Sequence, residues 1–94
     1  MPKYSLFQTR KYLKSLKKLL HSGRFDRMEL DTVIKYLMQG VSLPQKYHDH
    51  QLAGDWQDFR ECHVESDILL VYEIEENVLT LALINIGSHP YLFG

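Results

Sequence analysis

Apolar positions recur along the chain with two different periods, and each period predicts a different element. Residues 3–8 (Lys-Tyr-Ser-Leu-Phe-Gln) alternate loosely and predict a first strand. Thr9 then suits the N-cap of a helix over about Arg10 to Ser22. Its apolar residues Tyr12, Leu13, Leu16, Leu19 and Leu20 repeat at helical spacing, lysines fill the other side, and Gly23 supplies the stop. A second helix opens on Asp26, with Glu29 completing a capping box and Phe25 with Leu30 forming a hydrophobic staple. Its stripe runs Leu30, Val33, Ile34, Leu37 and Met38, and Gly40 ends it. Two such helices in succession predict an α-hairpin.

Between residues 41 and 55 the periodicity fails. Pro44, the polar run Tyr47-His48-Asp49-His50 and Gly54 predict an irregular loop. The remainder reads as sheet. Trp56 to Val64 predicts one strand, and the nearly continuous apolar run Ile68 to Ile74 predicts a central strand covered on one face by the helices. Glu76-Asn77 fits a tight turn, and Val78 to Ile86 a last strand with Leu79, Leu81 and Leu83 on one face. Gly87 breaks that strand, leaving a tail with room for one helical turn. The expected fold is α+β: an N-terminal strand and a helical hairpin packed on a mainly antiparallel curved sheet, as a single domain over residues 1–94.

Composition narrows the setting. Cys62 is the single cysteine, so no intrachain disulfide forms. Adjacent strand residues point to opposite faces, so Cys62 is read as a buried structural thiol and not as the catalytic partner of His63. No stretch approaches the roughly 20 apolar residues of a membrane span. The first ten residues lack the basic-then-apolar layout of a secretory leader, so a cytoplasmic protein without membrane contact is expected. The net charge of −1 conceals an asymmetry. Through Arg27, eight basic residues oppose Asp26 alone, a balance of +7; from Met28 onward, eleven carboxylates oppose Lys35, Lys46 and Arg60, a balance of −8. A basic front half suits phosphates or an acidic partner, and equally a solvated lysine-rich helix face.

Four of the five histidines, His48, His50, His63 and His89, fall in the predicted loop, strand and tail. Imidazole titrates near neutrality and suits proton transfer. In a small curved sheet His50, His63, Asp67 and His89 could converge on one concavity; a histidine taken alone is more often a surface or half-buried one. His48-x-His50 with a further ligand also allows a zinc site, although the spacing matches no standard signature. Cleaving RNA asks for a base at the ribose 2′-hydroxyl, an acid for the leaving 5′-oxygen and cations for the phosphate. Arg60 can serve as a cation, and Trp56, Phe59, Tyr91 and Phe93 lie where aromatics can stack on unpaired bases. Trp56 and Phe59 are by residue type more often core.

Longer motifs are more specific. Asp49-His50-Gln51-Leu52-Ala53-Gly54, then Phe59-Arg60-Glu61-Cys62-His63-Val64-Glu65-Ser66-Asp67, then an apolar run to Tyr72, resembles the central block of the YafQ branch of RelE-type toxins. The ending Gly87-Ser88-His89-Pro90-Tyr91-Leu92-Phe93 is similar to that family's tail. The resemblance covers essentially the whole chain. It implies a toxin of a type II toxin–antitoxin system, an endoribonuclease that cuts messenger RNA in the ribosomal A site without metal or other cofactor. It also implies a cognate ribbon-helix-helix antitoxin, DinJ/RelB-like, through which alone the toxin meets operator DNA. Carried over by position, His50, His63, Asp67 and His89 match the catalytic residues. His89 is read as the acid, and His50 or His63 with Asp67 as the base side. Phe93 matches a tail aromatic tied to activity, and Arg60 a basic strand residue.

One departure stands out. Family members commonly carry arginine two residues before the tail glycine, where this chain has Asn85, a hydrogen-bond donor without charge. The alternative function that follows is a catalytically weak member acting mainly through antitoxin and operator binding; on that reading Asn85→Arg raises toxicity. A gyrase-directed relative of the same fold and a metal-dependent hydrolase are further readings, the first disfavoured by the clustered histidines.

Overall fold

The computed structural model describes residues 1–94. In chain order the elements are β1 (Ser5–Gln8), α1 (Arg10–Ser22), α2 (Arg27–Met38), β2 (His50–Gln51), β3 (Arg60–Glu65), β4 (Ile68–Glu75), β5 (Thr80–Gly87) and α3 (His89–Phe93). The strands form one sheet in the order β1-β5-β4-β3-β2, parallel between β1 and β5 and antiparallel elsewhere. The two long helices cover one face. Tyr12, Leu16, Leu30, Val33 and Leu37 pack there against Cys62, Val64, Leu70, Tyr72, Leu81, Leu83 and Ile86. This is the expected α+β architecture, with β4 central.

Local chemistry accounts for the helix ends. Thr9 Oγ1 accepts the Tyr12 N–H at 3.0 Å and donates to the Ile84 carbonyl at 2.8 Å, so the same hydroxyl caps α1 and ties it to β5. Gly23 closes α1 in the left-handed conformation at φ 72°. The Asp26 carboxylate caps α2 by accepting the Met28 N–H at 3.0 Å. The reciprocal half of the predicted capping box is not made. The Asp26 N–H goes to Glu65 on β3 at 2.8 Å, while Glu29 accepts from the Tyr47 hydroxyl and lies 3.6 Å from Lys46. Tertiary partners have replaced the local one, and they stitch the start of α2 to β3 and to the following loop.

Four further expectations are corrected. Trp56 to Phe59 is not strand: Gly54–Trp56 is a 3₁₀ turn, the Phe59 N–H bonds the Trp56 carbonyl at 2.9 Å, and pairing begins at Arg60. The loop predicted over 41–55 contains a 3₁₀ turn at Gln45–Tyr47 and the two-residue strand β2, which pairs with β3. Along α1 the buried side runs through Tyr12, Ser15 and Leu16, leaving Leu13 and Leu20 exposed. The last strand starts at Thr80; Leu79 stands before it, left-handed at φ 46° and exposed. A β-bulge also resets the alternation along β5. Tyr72 pairs with Leu83 but Val71 with Asn85, so Leu83 and Ile86 both face the helices. Cys62 is fully buried in the core, and that burial pushes its thiol pKa up, as suits a structural thiol.

Candidate active site

The face turned away from the helices carries the candidate chemistry, and strand register arranges it in two rows. His50 pairs with Glu61, Glu61 with Val71, and Val71 with Asn85. In the next row His63 pairs with Leu69 and Leu69 with Gly87, two residues before His89. Period-two alternation along β4 puts Val71 and Leu69 on the same face, and Asp67 stands in the β3–β4 turn just before that strand. Strands lie about 4.8 Å apart, which sets His63 roughly 10 Å across the sheet from the Gly87 backbone. His50 and His63 therefore lie on the uncovered face, with Asp67 in the adjoining turn and His89 two residues beyond the Gly87 end of β5.

Their environments differ. The His50 ring has Nδ1 2.7 Å from the His48 carbonyl oxygen and Nε2 2.9 Å from Glu61 Oε2. Both neighbours are acceptors, whereas a neutral imidazole offers one N–H. Glu61 is 6 % exposed, and its second oxygen is buried without a hydrogen-bond partner. The His63 ring meets His48 edge-on, with centroids 5.4 Å apart, and neither of its nitrogens is hydrogen-bonded. An open groove of about 850 Å³ runs beside these rings, bordered by His48, His50, His63, Lys46, Glu29 and Asp26. Asp67 is exposed and unpaired.

The tail brings the remaining groups. Ser88 caps α3 by accepting the Tyr91 N–H at 3.3 Å. His89 lies against Phe93 (5.1 Å between centroids), Phe93 meets Trp56 edge-on (5.2 Å), and Trp56 tilts against Phe59 (5.9 Å). These aromatics form a partly exposed row beside the histidines instead of joining the main core.

Arg60 sits elsewhere. It pairs with Tyr72 on the helix-facing side, and its guanidinium donates to Asp49 at 2.9 Å, Tyr72 Oη at 3.3 Å and Gln51 Oε1 at 3.3 Å. The Tyr72 hydroxyl also donates to Asp49. The bond to Asp49 holds the guanidinium pKa above its ordinary value. Arg60 is thus a fastener for the loop that carries His48 and His50. Asp49→Ala is expected to cost about 1–3 kcal/mol, since it strands the Arg60 and Tyr72 donors. A urea midpoint and the exchange rates of the amides over 46–51 measure both the loss and the loosening of the loop.

Asn85, 8 % exposed, accepts the Ser15 hydroxyl at 2.6 Å and the Ile86 N–H at 2.9 Å. Sequence pattern does not single out Glu61 or Ser15. Glu61 was within reach, because strand period two puts it on the face of His63. No three His, Cys, Asp or Glu side chains stand together in metal-ligand geometry.

A helical hairpin on a five-stranded mixed sheet is the build shared with solved YafQ toxins of the RelE-like superfamily. The chain superposes with a TM-score of 0.90 on a copper-bound mutant toxin from Helicobacter pylori, 39 % identical, covering 99 % of this chain and 100 % of that one. With a chain of the Escherichia coli DinJ–YafQ toxin–antitoxin complex the TM-score is 0.85 at 30 % identity, covering 98 % and 99 %. The family model described as the bacterial toxin of type II toxin–antitoxin system, YafQ, matches residues 4–94. The chain belongs to the YafQ family. It is 38 % identical over 66 residues to the mRNA interferase toxin YafQ of E. coli K12, spanning 65 % of this chain and 70 % of that protein. The match to a Haemophilus influenzae YafQ relative is 35 % identical over 65 residues and spans 64 % of that protein.

Proposed function

We propose that this toxin is a messenger-RNA endoribonuclease acting on the ribosomal A site. The observation that supports the reading is the register that puts His50, Glu61 and His63 on the uncovered face, together with the tail contacts of His89 with Phe93 and of Phe93 with Trp56. His63, whose ring nitrogens are free, takes the proton of a ribose 2′-hydroxyl. The 2′-oxygen attacks phosphorus, the P–O5′ bond breaks, and His89 protonates the departing 5′-oxygen. The products are a 2′,3′-cyclic phosphate and a 5′-hydroxyl. Asp67 orients the base side. His50, held between the His48 carbonyl and the Glu61 carboxylate, supports His63. Phe93 and Trp56 stack on an unpaired base. Lys11 borders the cleft shared by Asn85, Trp56 and Phe93, forms no ion pair, and supplies the positive charge that Asn85 lacks.

In this reading the partners are a ribbon-helix-helix antitoxin that blocks the face, the ribosome and its message in the cytoplasm, and operator DNA through the antitoxin alone. The DinJ–YafQ complexes of E. coli support an antitoxin partner. The test is a translating extract: new 5′-hydroxyl ends are expected within codons occupying the A site, and their loss on adding antitoxin. Full-length message while translation proceeds would remove the nuclease reading. Asn85 favours the second reading, a weak nuclease acting as antitoxin-bound co-repressor; harmless expression together with tight antitoxin binding would select it.

A further inference from the structure

We infer that Asn85 is the hub of a hydrogen-bonded lock, built from Ser15, Asn85 and Tyr91 over Gly87, that positions the tail helix and with it His89. The inference rests on the nuclease reading for its functional consequence, though not for the lock itself.

Ser15 Oγ lies 2.6 Å from Asn85 Oδ1 and 2.9 Å from the Tyr91 hydroxyl. The Ile86 N–H, which can only donate, points at the same Asn85 oxygen at 2.9 Å and fixes it as an acceptor. Ser15 therefore spends its one hydrogen on Asn85, and Tyr91 must be the donor to Ser15. The result is a directed chain from Tyr91 O–H to Ser15 O–H to Asn85 Oδ1, buried at Ser15 and Asn85 and half-exposed at Tyr91. It joins three elements: α1, the bulged stretch of β5, and α3.

Two contacts complete the seat. A Cβ at Gly87 would lie 2.5 Å from Tyr91 Cδ2, so the ring rests directly on the strand where only glycine leaves room. Lys18 Nζ lies 5.8 Å from the ring centroid on α1. The tail helix has five residues and no buried side chain of its own, so nothing in its intrinsic stability fixes the direction of His89. Tyr91 supplies that fixing. Asn85 is then not a vacated arginine site: arginine there would remove the acceptor that holds Ser15.

The test uses the whole chain and two readouts. By hydrogen exchange, the amides of Leu92 and Gly94, bonded to the Ser88 and Pro90 carbonyls, report the tail directly. Tyr91→Phe and Ser15→Ala are expected to speed their exchange at least tenfold. Message cleavage on programmed ribosomes should slow about tenfold while half-saturating message concentration stays unchanged, since misplacing a reacting group acts on the turnover step. Ser15→Thr keeps the hydroxyl and should restore both readouts. In the double variant the two losses should not add. Asn85→Arg should slow cleavage; faster cleavage overturns the lock, as does unchanged exchange in Tyr91→Phe. A wild-type chain that cuts no message refutes the nuclease reading instead, and exchange still decides the lock.

Discussion

Replacing His89 with glutamine is expected to slow message cleavage by about 10²–10⁴-fold, the span associated with losing a general acid. The side chain is exposed, makes no hydrogen bond and lies against Phe93, so little of the fold depends on it. Glutamine keeps the bulk against Phe93 but cannot deliver a proton to the 5′-oxygen. Stability should move by no more than about 0.5 kcal/mol, as for other surface changes. Single-turnover cleavage on programmed ribosomes, read beside a urea midpoint, separates lost chemistry from lost fold. His63→Gln should fall in the same range, and the double variant should lose little more than either alone, because base and acid act in one step. Cleavage by His89→Gln at the wild-type rate would sink the assignment. A loss in step with a falling urea midpoint would make His89 structural.

The elements legible in the sequence are those whose signals are local. Thr9 with Gly23 bounds α1 correctly, and the apolar run of β4 marks the central strand, because caps and periodicity need no distant residue. The misreadings share the opposite cause. Glu29 looks like half of a capping box until Tyr47 and Lys46 offer it better partners from the loop. Trp56 reads as strand because aromatics favour sheets, yet Gly54 turns the chain and Trp56 ends beside Phe93, contributed by the other end of the sequence. The same holds at the site. His50, His63, Asp67 and His89 can be picked out by residue type and motif. That His50 is filled by two acceptors, that Arg60 points away, and that Asn85 belongs to Ser15 and Tyr91 are facts of register and bulge, which no window along the chain contains.

Leu79 and Leu83 turn that distinction into a measurement. Alternation alone places both on one buried face, and on that basis truncating either should cost the same. The bulged, shortened β5 separates them. Leu83 is 0 % exposed between β1 and β4 and belongs to the core under the helices, so Leu83→Ala leaves a cavity with no route to collapse. The expected cost is about 2–5 kcal/mol. A domain of this size holds roughly 5–15 kcal/mol in all, so the urea midpoint should fall by a large fraction and expression with it. Leu79 is 48 % exposed and left-handed at φ 46°, a conformation disfavoured for any residue with a Cβ. Its backbone matters, since its carbonyl accepts the Ser5 N–H at 2.8 Å and anchors β1; its side chain does not. Leu79→Gly keeps that bond and relieves the strained φ, so stability should stay level or rise by up to about 1 kcal/mol. Equal losses at the two positions would mean that β5 begins before Thr80 and that the face is continuous, with no left-handed residue at its start.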